Sequence, residues 1–399
     1  MKWVELARRL GRDDGAGDPD PHPTLAWLRA TSPIFRLPGP GGADSGGHWL
    51  ITSYDLARQC LNDPRLSFDP RNAAVPQNAP GHTPYVLAKD PPEHTVLRGM
   101  VKAAFSPGSV ARLRERVAEV CARTVDTFAD RERFDLFADY ALPIPELVAY
   151  EFFGIAPEDR LPLGRATELS LVIALREQYA GGPATDEMHA YVARVADRTS
   201  PEADGLVGAA LRAAGRGEAT QETVLGLLYL LFATGQLSTA PFIAATLTRA
   251  LQHRPIPSRP TGAQDWRPLI NEVLRLDSPV QTSMPRFALQ DLILGGERVA
   301  KGEAVFISVA AANRDPETFP GPDELRPDRR NQSHLAFGFG VHFCVGAPLA
   351  RMEAEIAVDT LFRRLPAVRL AVPPDDLVFG WGPLLRCATA VPATATAAD

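Results

Sequence analysis

In HLAFGFGVHFCVGAPLARMEAEIA, residues His334 to Ala357, one cysteine stands among glycines just before a helical pattern begins. Gly338 and Gly340 precede Cys344, Gly346 follows it, and the periodic run starts at Ala347-Pro348, where proline is tolerated in a first helical turn. Glycines mark places where the backbone turns tightly or lets a neighbour approach. A cysteine at the start of a helix feels the positive end of the dipole and nearby N–H donors, both of which favour thiolate. The arrangement suits a metal ligand or a nucleophile.

A dinucleotide loop needs G-x-G-x-x-G, but Phe343 holds the third glycine position and no strand with a downstream acid completes the unit. A zinc site could draw on His334, His342 and Cys344, yet no second cysteine lies nearby and the spacing matches no common structural set. A lone cysteine is most often a small buried hydrophobe. The density of glycine, aromatic and histidine residues around Cys344 weighs against that plainer reading.

The chain has 399 residues, 45% hydrophobic and 23% charged, enough to bury a large core. A formal charge of -6 argues against general affinity for phosphate backbones, so no nucleic-acid partner is expected. The start, MKWVELARRLGRDDG, is interrupted by Glu5, Arg8 and Arg9 and reads as no secretory signal. The apolar run Val224 to Ala233 is too short to cross a bilayer, so no membrane is expected and the location reads as cytoplasmic. Four cysteines, at 60, 121, 344 and 387, form no C-x-x-C pair and point to a reducing compartment.

Along the chain, PIFRLPG and HWLITSY predict strands around a Gly-rich turn at 41–47, followed by a helix from Asp55 to Cys60. Residues 66–90 read as a long loop. PPEHTVLRGMVKAAFSP, Pro91 to Pro107, predicts a helix that puts His94 and Arg98 on one face. Helical patterning covers 110–130, then 187–214 with a break at Ser200-Pro201, then one long helix from about Thr220 to His253 capped by Thr220 or Thr223. Asp265 to Leu276 is helical. MPRFAL, DLILGG and ERVAKGEAVFISV predict a small antiparallel sheet, with a last fragment at VRLAV and LLRCATAV. The tail from about 392 to 399 reads as disordered. The expectation is a single domain over 1–399, mainly α with small antiparallel β-sheets.

FGFGVHFCVG, Phe337 to Gly346, resembles the haem-binding loop of the cytochrome P-450 family, Phe-Gly-x-Gly-x-(His or Arg)-x-Cys-x-Gly. Other matches follow in the family's order. Glu272-Val-Leu-Arg275 resembles its ExxR helix motif, and AANRDPETFPGPDELRPDRR the segment leading to the haem loop. PPEHTVLR resembles its helix with haem-propionate contacts, and Met284-Pro-Arg286 its strand beside the haem. The matches span about residues 50 to 390. The resemblance implies the cytochrome P-450 fold and haem b (iron protoporphyrin IX), with Cys344 as axial thiolate on the metal. Phe337, Gly338 and Gly346 would shape the loop, and His94, Arg98, Arg286 and His342 would pair with the propionates, buried carboxylates that need charge-assisted partners. Glu272 and Arg275 could pair on one helical turn, with Arg329 as third member, holding the loop in place. It further implies a monomer that oxidises a small organic molecule with O2 and electrons from a ferredoxin-type partner and its reductase. Lys102, Arg112, Arg116 and Arg351 could supply positive charge for that partner.

The long helix contains LLYLLFATGQLSTAPF, Leu227 to Phe242. In the family its middle usually reads (Ala or Gly)-Gly-x-(Asp or Glu)-Thr. Aligning Gly235 with that glycine puts Thr234 at the small residue, Leu237 at the acid and Ser238 at the threonine. Leu237 can neither donate nor accept, so Ser238, Thr239, Gln236, water or a substrate hydroxyl would have to deliver protons. The alternative is that these are ordinary back-bonded helix residues. Pro241 cannot bond the carbonyl of residue 237, and a kink exposing that carbonyl is expected. Substrate walls are expected from 70–88, Ala233, Thr234, Leu237, Val280 to Ser283, Leu384 and Leu385, mostly apolar or small, which suits a bulky, moderately hydrophobic molecule. A tailoring step in natural-product biosynthesis fits by family analogy. The missing acid opens oxidative ring formation or C–O or C–C coupling as an alternative. A haem protein that only senses or carries a ligand is the reading from another class, and substrate-dependent NAD(P)H consumption separates it from an enzyme.

Overall fold

Capping and burial define the helices more sharply than periodicity does. The computed structural model describes residues 20–37, 47–74, 88–102, 104–174, 182–253, 266–380 and 384–395. Its helices in chain order begin with α1 (His22–Thr31), α2 (Tyr54–Leu61), α3 (Glu93–Lys102), α4 (Pro107–Ala111), α5 (Arg114–Asp126), α6 (Pro143–Phe153) and α7 (Arg165–Val172). They continue with α8 (Pro183–Arg198), α9 (Leu206–Gly215), α10 (Gln221–Gln252), α11 (Arg267–Leu276), α12 (Val309–Ala312) and α13 (Ala347–Arg364). The patterning over 110–130 thus resolves into two helices, and the expected break at Ser200-Pro201 separates α8 from α9. Where one domain is expected, the described residues group into two compact units interleaved along the chain.

The first unit draws on 1–77, 267–344 and 376–389. Its main sheet joins β1 (Ile34–Leu37), β2 (His48–Ile51), β3 (Leu66–Ser67), β5 (Arg286–Ala288) and β8 (Ala304–Ile307) in the order β1-β2-β8-β5-β3, β4 (Arg133–Asp135) belonging to the other unit. β2 and β8 run parallel, Ile51 opposite Ile307, so this sheet is mixed and not wholly antiparallel as expected. Parallel pairing needs a long crossover, which a reading of local runs does not reveal. β6 (Leu292–Leu294) and β7 (Glu297–Val299) form the expected antiparallel pair, and β10 (Phe379–Gly380) pairs with β11 (Cys387–Ala388). Ile51, Ala57, Cys60, Val305, Ile307 and Phe319 pack one core face of the sheet. The expected turn at 41–47 lies outside the described residues except for Gly47.

The second unit draws on 78–266, 345–375 and 390–399. α10 is its axis, in contact with α6, α7, α8, α9 and α13. Thr220 caps it by accepting from the Thr223 N–H at 3.1 Å. The helix is long and apolar enough to span a membrane, but 78% of its apolar window is buried inside the protein, as expected of a core helix. It runs unbroken through Pro241, so the expected kink does not interrupt it. Pro241 still withholds the N–H that the Leu237 carbonyl would otherwise accept. The tail expectation is corrected: Pro392–Thr394 forms β12, paired with β4 (Arg133–Asp135) on one side and β9 (Arg369–Leu370) on the other. Its residues are too small to signal a strand, but the backbone ladder does not depend on side chains. Residues 396–399 lie outside the described residues.

Candidate functional site

In the first unit the loop before Cys344 is shaped by two left-handed glycines. Gly338 has φ 72° and Gly340 φ 75°, and a Cβ on Gly340 would lie 2.4 Å from Asn62 Oδ1. Only glycine meets both demands at position 340. The Cys344 N–H donates to the Phe337 carbonyl at 2.8 Å, closing the loop, while Phe339 packs against the sheet core beneath Arg58, 4.7 Å from its ring. Gly346 has ordinary right-handed geometry, φ -78°, so its role is not conformational freedom. Cys344 is exposed, whereas Cys60, Cys121 and Cys387 are buried. Burial pushes the Cys60 thiol up to about 12 and that of Cys121 higher still, which leaves both inert at neutral pH.

Glu272, Arg275 and Arg329 meet in one buried network. Arg275 holds the Glu272 carboxylate through two bonds, 2.9 and 2.7 Å, and Arg329 Nε donates to it at 3.1 Å. The remaining Arg275 donors go to the carbonyls of Asn313 (2.9 Å), Pro322 (2.7 Å) and Glu324 (3.1 Å). Asn313 Oδ1 in turn accepts the Leu335 N–H at 2.7 Å. The ion network is therefore linked, by a single residue, to the strand of chain that enters the cysteine loop. Arg286, 2% exposed, stands on β5 with its guanidinium carbon 4.1 Å from the centre of the Phe68 ring. The His342 ring centre is 3.9 Å from the same ring.

Among expected wall residues of this unit, Val280 bridges Leu385, and the Gln281 N–H donates to the Leu384 carbonyl at 2.9 Å. Leu385 is buried and Leu384 half-buried. Ser283 commits its hydroxyl to the Met284 carbonyl (3.0 Å) and to the Ile307 N–H (3.1 Å), so it supports the chain locally. Of the expected loop 70–88, residues 75–87 lie outside the described residues.

In the second unit, α3 carries His94, buried, and Arg98, half-buried. Burial, and then the Arg98 charge, hold the His94 imidazole below its usual range. On α10 the polar stretch divides by face. Thr234 and Gly235 are exposed midway along an otherwise buried helix, Ser238 is half-buried, and Ala233, Gln236, Leu237 and Thr239 are buried. A Cβ on Gly235 would meet nothing within 4 Å. The hydroxyls of Thr234 and Thr239 donate back to the carbonyls of Leu230 and Gly235, each at 2.8 Å. The Ser238 hydroxyl makes no hydrogen bond to another described residue.

Gln236 departs from its expected place in a proton relay. Its Oε1 lies 3.0 Å from the Thr167 hydroxyl and its Nε2 donates to the Phe232 carbonyl at 3.3 Å. Thr167 also reaches the Glu146 carboxylate at 2.7 Å, and Glu146, wholly buried on α6, accepts the N–H groups of Gly164 (3.0 Å) and Thr167 (3.2 Å). Glu146 thereby caps α7 from a neighbouring helix. The side chain of Gln236 is occupied in this packing and not on the open face. Glu146, Thr167, Asn313 and Phe68 escaped sequence reading because each acts across elements distant in the chain.

A family model described as Cytochrome P450 matches residues 267–373. The chain is 35% identical over 396 residues to Cytochrome P450 monooxygenase PikC of Streptomyces venezuelae, covering 96% of this chain and 92% of that protein. It is 30% identical over 385 residues to Polyketide biosynthesis cytochrome P450 PksS of Bacillus subtilis (strain 168), covering 94% and 95%. Among solved structures, the cytochrome P450 enzyme CxnD, described as acting in C–S bond formation in chuangxinmycin biosynthesis, matches with TM-score 0.83 at 29% identity over 94% of each chain.

Proposed function

The chain belongs to the cytochrome P450 family of monooxygenases, and on that premise we propose that it oxidises a small organic substrate in natural-product tailoring. The reading includes haem b, a ferredoxin-type partner with its reductase, a monomeric state and a cytoplasmic location. The observation that carries it is Cys344, the exposed cysteine among four, at the end of a loop bent by Gly338 and Gly340.

The residues present fit a haem. The donor set offers a thiol for iron, and Arg286 and His342 for propionates, with His94 and Arg98 proposed for the same role in the second unit. Gly235 faces open space, with nothing within 4 Å of where a Cβ would stand, so the helix presents no side chain at that point. When bound, haem iron supplies dioxygen activation, aided by the electron density of a thiolate ligand. The chain's own residues do the rest. The Glu272–Arg275–Arg329 network with Asn313 holds the loop that presents Cys344.

Ser238 is the residue we assign to proton movement, because its hydroxyl can both donate and accept. Thr239 has its proton committed to the Gly235 carbonyl and serves as an acceptor beside it. Leu237 excludes a carboxylate, and the carbonyl behind it lacks a helical donor because of Pro241. Ala233, Thr234 and Leu237 are our candidates for substrate contact in the second unit; Val280, Leu384 and Leu385 are the candidates in the first.

The reduced carbon monoxide spectrum tests the assignment. The wild type should give the red-shifted thiolate band and Cys344→Ser should lose it. A wild type without that band would overturn the reading.

Leu237 favours a second reading, oxidative ring formation or coupling, in which hydrogen abstraction from the substrate is not followed by transfer of oxygen to it. The C–S bond formation described for CxnD supports it. Turnover under labelled O2 separates the two, since coupling leaves no label in the product.

A further inference from the structure

Arg286 begins β5, and His342 lies in the short turn before Cys344, so the two are far apart in sequence and carried by different elements. One ring joins them. Ser67 pairs with Phe287 across β3 and β5, and continuing that antiparallel register by one residue sets Phe68 opposite Arg286. The Arg286 guanidinium carbon then sits 4.1 Å from the Phe68 ring centre, a cation–π separation. The imidazole of His342 approaches the same ring at 3.9 Å, its plane tilted by 38°. These are contact distances with no room for water between the groups.

We propose that Phe68 is a positioning residue for haem binding, its ring fixing the Arg286 guanidinium and the His342 imidazole in the orientations in which they meet the propionates. The proposal rests on reading Arg286 and His342 as propionate partners. A free arginine carries about 2 kcal/mol of rotamer entropy that binding must remove. Contact with a rigid ring removes part of it beforehand and lowers the cost of ordering when the carboxylates arrive. Nothing in the local sequence announces this, since Phe68 precedes the Asp69-Pro70-Arg71 turn and reads as loop.

The test is the rate of haem loss from full-length holoprotein to excess apomyoglobin, with no turnover required. Phe68→Leu should speed loss by about three- to thirty-fold. Phe68→Tyr, which keeps the ring, should stay within about twofold of wild type. In an Arg286→Gln background, Phe68→Leu should add little, because its effect runs through the guanidinium; a merely structural role would multiply with it. Wild-type haem loss in Phe68→Leu, or multiplicative effects in the double variant, would overturn the proposal and leave the propionate reading standing. If Arg286→Gln and His342→Ala both lose haem at the wild-type rate, the propionate reading falls and this proposal with it.

Discussion

Glu353 shows how one buried group sets a pH dependence for the second unit. It is wholly buried on α13, its Oε2 has no hydrogen-bond partner among the described residues, and burial raises its carboxyl from 4.5 to about 8. An acid raised in the folded state contributes stability that is fully present below its unfolded value and lost as pH rises through the folded one. Stability should therefore decline between about pH 4.5 and 8, with Glu353 a cause. Glu353→Gln should flatten that part of a Tm–pH curve, and an unchanged slope would show that another group titrates. Cys344 and Leu237 are the other telling single residues. The first stands out because glycines and a helix start surround it, and the second because the family resemblance leads one to expect an acid there. Gln236 could not be placed from the chain for a physical reason: its polarity suggested chemistry, while Thr167, distant in the chain, and the Phe232 carbonyl lie within hydrogen-bond reach of its amide.

At the scale of elements, α10 depends on its neighbours for more than apolar contact. Glu146 and Thr167 tie α6 and α7 to its middle through Gln236. Thr167→Val keeps the shape but removes the single hydroxyl proton that lies within reach of both the buried Glu146 carboxylate and the Gln236 amide oxygen. Loss of such a donor should cost about 1–3 kcal/mol, read as a lower urea midpoint. A stability within about 0.5 kcal/mol of wild type would mean that water replaces the hydroxyl. The extents of α3, α10 and α11 followed from capping threonine, flanking proline and apolar pattern. β12 did not, because Pro392 and Ala393 disfavour strands and the pairing with β4 and β9 comes from partners far away in sequence.

For the whole molecule, a net charge of -6 makes any cationic surface informative. Lys102 and Arg112 are exposed and make no ion pair among the described residues, whereas Arg116 is paired with Glu151 at 2.9 Å and Arg351 is half-buried. Lys102→Glu and Arg112→Glu should each slow reduction by an acidic ferredoxin about three- to tenfold at low salt, and less at physiological ionic strength. Arg116→Glu carries a second cost, repulsion from Glu151, and should lower stability as well. Unchanged reduction rates in the first two variants would place the partner elsewhere.

Features that need only a local run of residues were already written in the chain: a glycine-bent loop ending in cysteine and two ionic partners one helical turn apart. Their spacing is set by covalent geometry, so linear order suffices. Which polar side chains are spent on packing, and which stay open for ligand, depended on neighbours that folding brings from distant positions. Phe68 beside Arg286 and His342, Asn313 between the ion network and the loop, and Thr167 on Gln236 are contacts of that kind. Long-range packing, not sequence neighbourhood, assigns each of those groups its partner.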